Sequence, residues 1–410
     1  MNIQKLMNKN FTLMVIGQVI SLFGNSILRF SLSLYVLKTT GSASIFGTIL
    51  AISIIPTILL SPLGGIIADR VSRKHIMLTL DFITSALIFI FSFFISQTIP
   101  IITIGIVMVV LSIIQAFYQP SVQASIPLLA TDEHLMQANG IVVQVSALAN
   151  LLGPIIAGML YTILPITLLL DIAAIAFFAS AILECIMKIP FIKPEKKKNG
   201  LSLIVDDLKE GMHYISKNQP ILLKILFVIA AINLFIASLI TVGLPVMTNI
   251  ILGLNPQFYG WLEAGIAIGS IIGSLLLPLI SKKYNIKNSY LFLIFGSLTL
   301  TLLSIAMFVQ NQVYFSYALI MIGSVLTIMF ATIFNIFAQT FMQQSTPNEL
   351  LGKVSSFVTV ISMCSYPIGQ AIYGVLFDSL ANSSYLIILG AVFIGLIISL
   401  SMKKYLQQIQ

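Results

Sequence analysis

The chain has 410 residues, of which 58% are hydrophobic and only 8% charged, with a mean hydropathy of +1.05 and a formal net charge of +8. A water-wetted domain carries about 25% charged residues, so a fold whose surface faces water over most of its area is excluded. Cys185 and Cys364 sit in apolar runs, and the three histidines stand apart from other ligands, so no disulfide framework, metal site or cofactor is expected.

Apolar runs long enough to cross about 30 Å of hydrocarbon occur at 11–37, 44–68, 76–96, 100–126, 139–163, 166–189, 221–249, 257–281, 288–309, 313–344, 354–377 and 384–402. These twelve runs describe an all-α membrane protein. The first run lacks a small-residue cleavage site and outlasts a signal-peptide core, which makes it a retained span. With the N-terminus inside, Lys5, Lys9, Arg70, Arg73, Lys74, the 193–198 lysines, Lys282, Lys283, Lys353, Lys403 and Lys404 all fall on the inner side. Lys38 alone lies outside, and Arg29 lies within the first span. Basic residues near span ends prefer the cytoplasm. Both termini are therefore expected inside, in a bacterial cytoplasmic (inner) membrane.

Span one carries Gln18, Asn25 and Arg29. Between spans two and three stands Gly64-Gly65-Ile66-Ile67-Ala68-Asp69-Arg70-Val71-Ser72-Arg73-Lys74. An acid followed by three bases can build charge pairs that hold an inner gate, and Asp81, a little further on, is grouped with them. Span four sets Gln115, Gln119 and Gln123 at four-residue steps, hence on one stripe. Span five has small residues and a proline at Gly140, Ala149, Gly153, Pro154, Ala157 and Gly158, a pattern that bends a helix and lets it pack closely. Asp171 falls in the outer half of span six, and Glu184 with Lys188 suggests a local pair at its inner end.

Residues 190–220 break the apolar pattern. They open as a basic polar linker and continue with Leu201, Ile204, Leu208, Met212 and Ile215 at helical spacing opposite Asp206, Asp207, Lys209 and Lys217. The expectation is an amphipathic helix on the inner membrane face, in lipid contact or as a solvated connector. It separates an N-terminal bundle, 1–189, from a C-terminal bundle, 221–410.

The second half repeats the first. Span seven carries Asn233, and span ten sets Asn335, Gln339 and Gln343 at the spacing of the span-four stripe. Glu133 matches Glu349, Gly153 matches Gly369, Gly158 matches Gly374 and Gly47 matches Gly260. Parallel repeats about an axis along the membrane normal place a substrate site near mid-membrane. The paired stripes with Gln18, Asn25 and Asn233 are expected to line a wet cavity, with interhelical hydrogen bonding as the other reading. Glu263, some 9 Å below the outer end of span eight, is the proton-site candidate, with Arg29 and Asp171 as possible partners in coupling.

Gly65, Asp69, Arg70, Arg73 and Lys74 match the signature loop of the major facilitator superfamily, Gly-x-x-x-Asp-Arg-x-Gly-Arg-Lys, with Ser72 in place of the second glycine. The span-five spacing resembles that family's antiporter motif, with Ala149 and Ala157 replacing two glycines. Finer details resemble its macrolide-efflux branch of drug–proton antiporters. They are Gly17-Gln18 with Ser21-Leu22, Thr40-Gly41-Ser42-Ala43, Phe117-Tyr118-Gln119-Pro120 leading to Pro127-Leu128-Leu129, and Glu210-Gly211-Met212. The resemblance implies two pseudo-symmetric six-helix bundles in the major facilitator fold, a gate at the Asp69 loop, a cavity lined by spans one, four, seven and ten, and efflux of amphipathic compounds against proton entry. The expected partners are a small-molecule substrate, protons and the lipid bilayer, and not nucleic acid, with the protein acting as a monomer. Many proton-driven relatives have an arginine in span four, where this chain has Leu111. Siderophore, lysolipid and nutrient transporters on the same fold, and a non-transporting membrane sensor, are the competing readings. An enzyme is not expected.

Overall fold

Lipid offers no hydrogen bonds, so each crossing segment must satisfy its own backbone, and a helix is the way a single apolar run can do so. A computed structural model describes residues 8–95, 100–131, 134–190, 209–210, 212–217 and 219–406. Among them, twelve helices are long and apolar enough to cross a membrane. In chain order they are α1 Lys9–Thr40, α2 Ala43–Arg70, α3 Arg73–Ile95, α4 Ile101–Leu129, α5 Leu135–Ile163 and α6 Ile166–Ile186. The second six are α7 Pro220–Ile251, α8 Pro256–Ile280, α9 Tyr290–Phe308, α10 Val313–Ser345, α11 Asn348–Ser379 and α12 Ser384–Leu406. Each expected apolar run coincides over most of its length with one helix; several helices outrun it, whereas α6 stops at Ile186, three residues short of its run. α11 starts six residues before its apolar run because hydrogen bonding continues through the polar first turns. Leu59, Phe93, Ile163, Leu275 and Phe393 are all more than half exposed, as side chains facing hydrocarbon should be.

α7 is the irregular helix. It runs as α-helix over Pro220–Ile232 and Ser238–Pro245, with π-helical turns at Asn233–Ala237 and Val246–Ile251. The first turn is stitched by Ser238, whose hydroxyl donates to the Asn233 carbonyl at 2.8 Å and lies 3.0 Å from the Tyr366 carbonyl of α11. A π-turn widens the backbone ladder by one residue, and here the Asn233 carbonyl accepts both the N–H and the hydroxyl of Ser238. Gly41 and Gly253 take φ of 62° and 63°, where a Cβ is strained, and they make the turns after α1 and α7.

The chain forms two compact units. One takes Met1–Val36 and Ile52–Leu201, the other Leu37–Ala51 and Ser202–Gln410. In the first, α3 packs along α6; in the second, α9 packs along α12 and α10, and α8 along α10. The repeat is visible in glycine contacts. Gly153 of α5 lies against Ser26 of α1, and its counterpart Gly369 of α11 lies against Leu234 and Ser238 of α7. Equivalent glycines thus let equivalent helix pairs approach. The cores differ in detail: Phe11, Met77, Tyr118, Ile126 and Val142 fill one unit, and Ile225, Phe292, Phe334, Val354 and Met402 the other.

Most of the expected linker helix lies outside the described residues. Residues 212–217 are helical, and Ile215 is buried in the core of the second unit while Met212 of the same expected face is exposed. Tyr214 donates to the Ser345 carbonyl at 2.8 Å, and Glu210 pairs with Lys353 at 2.8 Å. This end of the linker is held on the second unit by Ile215, Tyr214 and Glu210.

Candidate functional site

The second unit contains a cavity of about 340 Å³ lined by α7, α10 and α11. Leu222, Ile225, Ile229, Met342 and Met363 give it apolar walls, and Asn335, Gln339, Ser355, Thr359 and Ser362 give it polar points. The volume is in the range of small-molecule pockets, which combine apolar lining with a few polar groups. Asn335 and Gln339 are exposed on one stripe of α10 because they stand four residues apart, as the sequence spacing requires. Asn233 does not point an open amide into the cavity. Its Nδ2 donates to the Ser362 carbonyl at 2.9 Å and ties α7 to α11.

In the same unit, Glu263 of α8 sits among hydroxyls. Tyr259, one turn earlier, hydrogen-bonds its carboxyl, and Tyr366 of α11 lies close enough to feel its charge. Tyr366 in turn bonds Thr241 of α7 and the side chain of Gln370. α7, α8 and α11 are thus linked through one carboxyl and two phenols. Sequence reading singled out Glu263 but not Tyr259, Tyr366 or Thr241, since apolar spans commonly contain such residues and only their convergence marks them.

In the first unit, Gln18 is 2% exposed and neither its Nε2 nor its Oε1 has a hydrogen-bond partner. Asn25 accepts from Arg29 Nε at 3.1 Å, a bond within one turn of α1. Asn25 and Gln115 line a second, much smaller cavity of about 20 Å³. Gln119 is half-buried and Gln123 exposed. The span-four stripe therefore runs from interior to surface, and only its Gln115 end meets this cavity. Asp171 Oδ1 is buried without a partner.

At the signature loop, Arg73 Nε donates to the Ala68 carbonyl at 3.0 Å and Lys74 Nζ to the Cys185 carbonyl at 2.6 Å. Gly65 has open space where a side chain would go, and Arg70 is exposed. The Asp69 side chain, with those of Glu133 and Glu349, lies outside the described residues. Asp81 is placed differently from its sequence grouping. It is 2% exposed inside α3 and accepts a hydrogen bond from Ser21 Oγ at 2.7 Å. Glu184 likewise turns from Lys188 to Tyr118, whose hydroxyl donates to Oε1 at 2.9 Å. On α5, Gly153 makes a close helix contact, Pro154 lies within an unbroken helix, the Gly158 carbonyl accepts from Thr162 at 2.8 Å, and Gly140 faces open space.

The fold and these sites can be set beside known proteins. Residues 14–370 match the model of the Major Facilitator Superfamily. "Macrolide efflux protein A" of Streptococcus pyogenes is 24% identical over 384 residues, covering 92% of each chain. "Staphyloferrin A transporter" of Staphylococcus aureus is 27% identical over 278 residues, covering 65% of this chain and 66% of that one. Among solved structures, the nucleoside transporter NupG superposes with a TM-score of 0.72 at 13% identity, covering 98% of this chain and 100% of that one. A D-xylose-proton symporter gives 0.69 at 15% identity, covering 96% and 97%. Likeness at these structural identities speaks for the fold alone. The family match over most of the length, and twelve membrane-capable helices in two related sets, agree that this multi-pass membrane chain is a transporter of small molecules and not an enzyme, and that it belongs to the Major Facilitator Superfamily.

Proposed function

We propose that the protein exports small amphipathic molecules of macrolide-like character by alternating access, driven by proton antiport. The observation that carries the reading is the α7–α10–α11 cavity: large enough for part of a drug-sized ligand, apolar over most of its wall, and polar at Asn335 and Gln339. Among the described residues, none that lines the cavity is basic. Capture of a carboxylate-rich siderophore calls for cationic partners, so this wall favours a neutral or weakly basic amphipath. The macrolide-efflux relatives support the same choice.

The coupling group in the second unit is Glu263, with Tyr259, Tyr366 and Thr241 as its hydrogen-bonded surroundings. A carboxyl inside the bilayer is costly and marks an ion or proton pathway by default. Arg29 and Asp171 are assigned auxiliary roles in the same coupling. The loop Gly65, Asp69, Arg70, Arg73 and Lys74 closes the inner side, both termini are cytoplasmic in the cell membrane, and the bundles 1–189 and 221–410 move as a monomer about the 190–220 connector.

The test is accumulation of a radiolabelled macrolide in a host deleted for its own drug pumps. Expression of this chain should lower accumulation, an uncoupler should restore it, and Glu263→Gln should behave as the uncoupled protein while still reaching the membrane. Lowered accumulation that ignores the uncoupler removes proton antiport. Unchanged accumulation across a macrolide panel removes the substrate class.

A further inference from the structure

The first unit holds a second pair of intramembrane carboxyls. Asp81 of α3 and Glu184 of α6 are 2% and 3% exposed. Each receives a hydroxyl from a different helix: Ser21 of α1 donates to Asp81 Oδ2 at 2.7 Å, and Tyr118 of α4 donates to Glu184 Oε1 at 2.9 Å. The Ser180 and Tyr118 hydroxyls also lie within reach of Asp81, and the two carboxyls lie close enough to feel one another. Four helices therefore converge on two acids.

Two charges of the same sign cannot both persist in a buried, low-dielectric place without a counter-charge. The groups acting on these carboxyls are hydroxyls and each other. Lys74, at the start of α3, gives its ammonium to the Cys185 carbonyl, one residue past Glu184. A stable arrangement needs a bound positive species.

Two further observations point to that species. Glu184 Oε2 is buried with no partner, and so are both side-chain polar atoms of Gln18. Gln18 lies one turn before Ser21 on α1, and its neighbour Gly17 accepts from Ser180, one turn before Glu184. Gln18 and Ser21, three residues apart, share a face of α1. Buried polar atoms without a protein partner call for a physical role, such as holding a water or an ion. The adjoining cavity of about 20 Å³ is lined by Ser21, Asn25, Asp81, Gln115 and Tyr118 among others. It has room for one water and none for a drug.

We propose that Asp81 and Glu184, together with Ser21, Tyr118 and Gln18, form a proton-binding site inside the N-terminal bundle, in which the two carboxyls share one exchangeable proton. Loading breaks one O–H bond of a hydronium ion in the cavity and makes one on a carboxylate oxygen, which removes one negative charge; unloading breaks the carboxyl O–H bond and returns the proton to water. Hydrogen bonds to an ionised carboxylate are roughly twice as strong as those to a neutral group. Unloading thus tightens α3 and α6 on Ser21 of α1 and Tyr118 of α4, and loading relaxes that hold. α1 and α4 also carry Asn25, Arg29, Gln115 and Gln119, so the site acts on the helices expected to line the substrate path. The inference deepens the proton-antiport reading by adding a coupling site apart from Glu263.

The test is infrared spectroscopy of the protein reconstituted in liposomes, stepping pH in sodium-free buffer and following the carbonyl stretch of protonated buried carboxyls. Asp81→Asn or Glu184→Gln should each remove a pH-dependent component, whereas Glu263→Gln should leave that component intact. Persistence of the whole signal in both Asp81→Asn and Glu184→Gln overturns the assignment. So does a component that responds to added sodium at fixed pH but not to pH, which would make the site a metal-cation site. Should those variants not fold, Tyr118→Phe keeps both acids and must displace the component; an unmoved band overturns the proposal. The readout needs no transport, so failure of the macrolide assay leaves it standing and failure here leaves export standing.

Discussion

Asp378, in the last turn of α11, caps the start of α2. Its Oδ1 accepts from the Ala43 N–H at 2.7 Å, and its Oδ2 accepts from the Ser44 N–H at 2.9 Å and from Ser42 Oγ at 2.5 Å. Two of the orphan N–H groups of a helix start are thereby satisfied by a carboxylate placed at the positive end of the helix dipole. Glycines allow the approach. A Cβ on Gly47 would come within 2.5 Å of the Gln370 carbonyl, and one on Gly374 within 2.7 Å of the Ala43 carbonyl. Residues 37–51 accordingly pack with the second unit although they belong to the first half by sequence. Removing a cap costs about 1 kcal/mol, and the lost charge–dipole attraction adds about 0.5 kcal/mol at an exposed site. Asp378→Ala should therefore shift the ratio of docked to parted conformers of this contact about tenfold. Asp378→Asn, which keeps an acceptor, should shift it about twofold. Spin labels at positions 45 and 375, both exposed, report the separation by pulsed electron resonance. Cys185 and Cys364 are also exposed and must first be replaced by serine. A distance distribution in Asp378→Ala that matches the parent's would refute the cap as a clasp.

Three other outcomes are expected. Gln339→Ala should change the order of preference among exported compounds by several-fold while leaving uncoupler sensitivity intact, as read by susceptibility across a drug panel; an unaltered order would leave Gln339 a bystander on the cavity wall. Gly369→Ala should lower the melting temperature of purified protein, because its Cβ meets the Leu234 carbonyl and Ser238 and overpacking costs about 1–3 kcal/mol. Gly140→Ala, with nothing within 4 Å, should stay within about 0.5 kcal/mol, and equal damage from both would contradict the packing argument. Asp69→Asn should slow transport without lowering the amount of protein in the membrane, and normal flux in proteoliposomes would remove the gate assignment.

Much of this architecture was legible because lipid leaves a chain few options. The need to satisfy backbone groups inside each segment turns apolar runs into helices, so the spans followed from hydropathy. The Gly153 and Gly369 match also carried real content, since both glycines lie against the corresponding first helix of their half. Asn335 and Gln339 were legible as cavity residues because a four-residue step keeps two side chains on one face. What the pattern could not supply was depth along a helix and direction around it. Gln115, Gln119 and Gln123 form one stripe, yet they differ in exposure because α4 runs from the bundle interior to its surface. Asn233 looked like an open amide and is tied to Ser362.

The two carboxyl misplacements share a cause that elementary geometry can correct. Asp81 was grouped with Arg70 and Arg73 because it follows them closely in sequence. Helix α3 begins at Arg73, and eight residues of helix rise about 12 Å, which carries Asp81 away from the loop and into the bundle. Glu184 and Lys188 were paired by the four-residue rule, but that rule holds only while the helix continues. α6 ends at Ile186 and Met187 takes an extended ψ of 143°, so Lys188 leaves the helical face before it can reach back. In both cases the hydrogen-bond partner lies far away in sequence. A carboxyl inside a membrane needs a polar partner close by, and for these two that partner is a donor on another helix. Ser21 and Tyr118 fill that role here, and a serine or tyrosine within an apolar span gains this meaning only when the acid it faces is known.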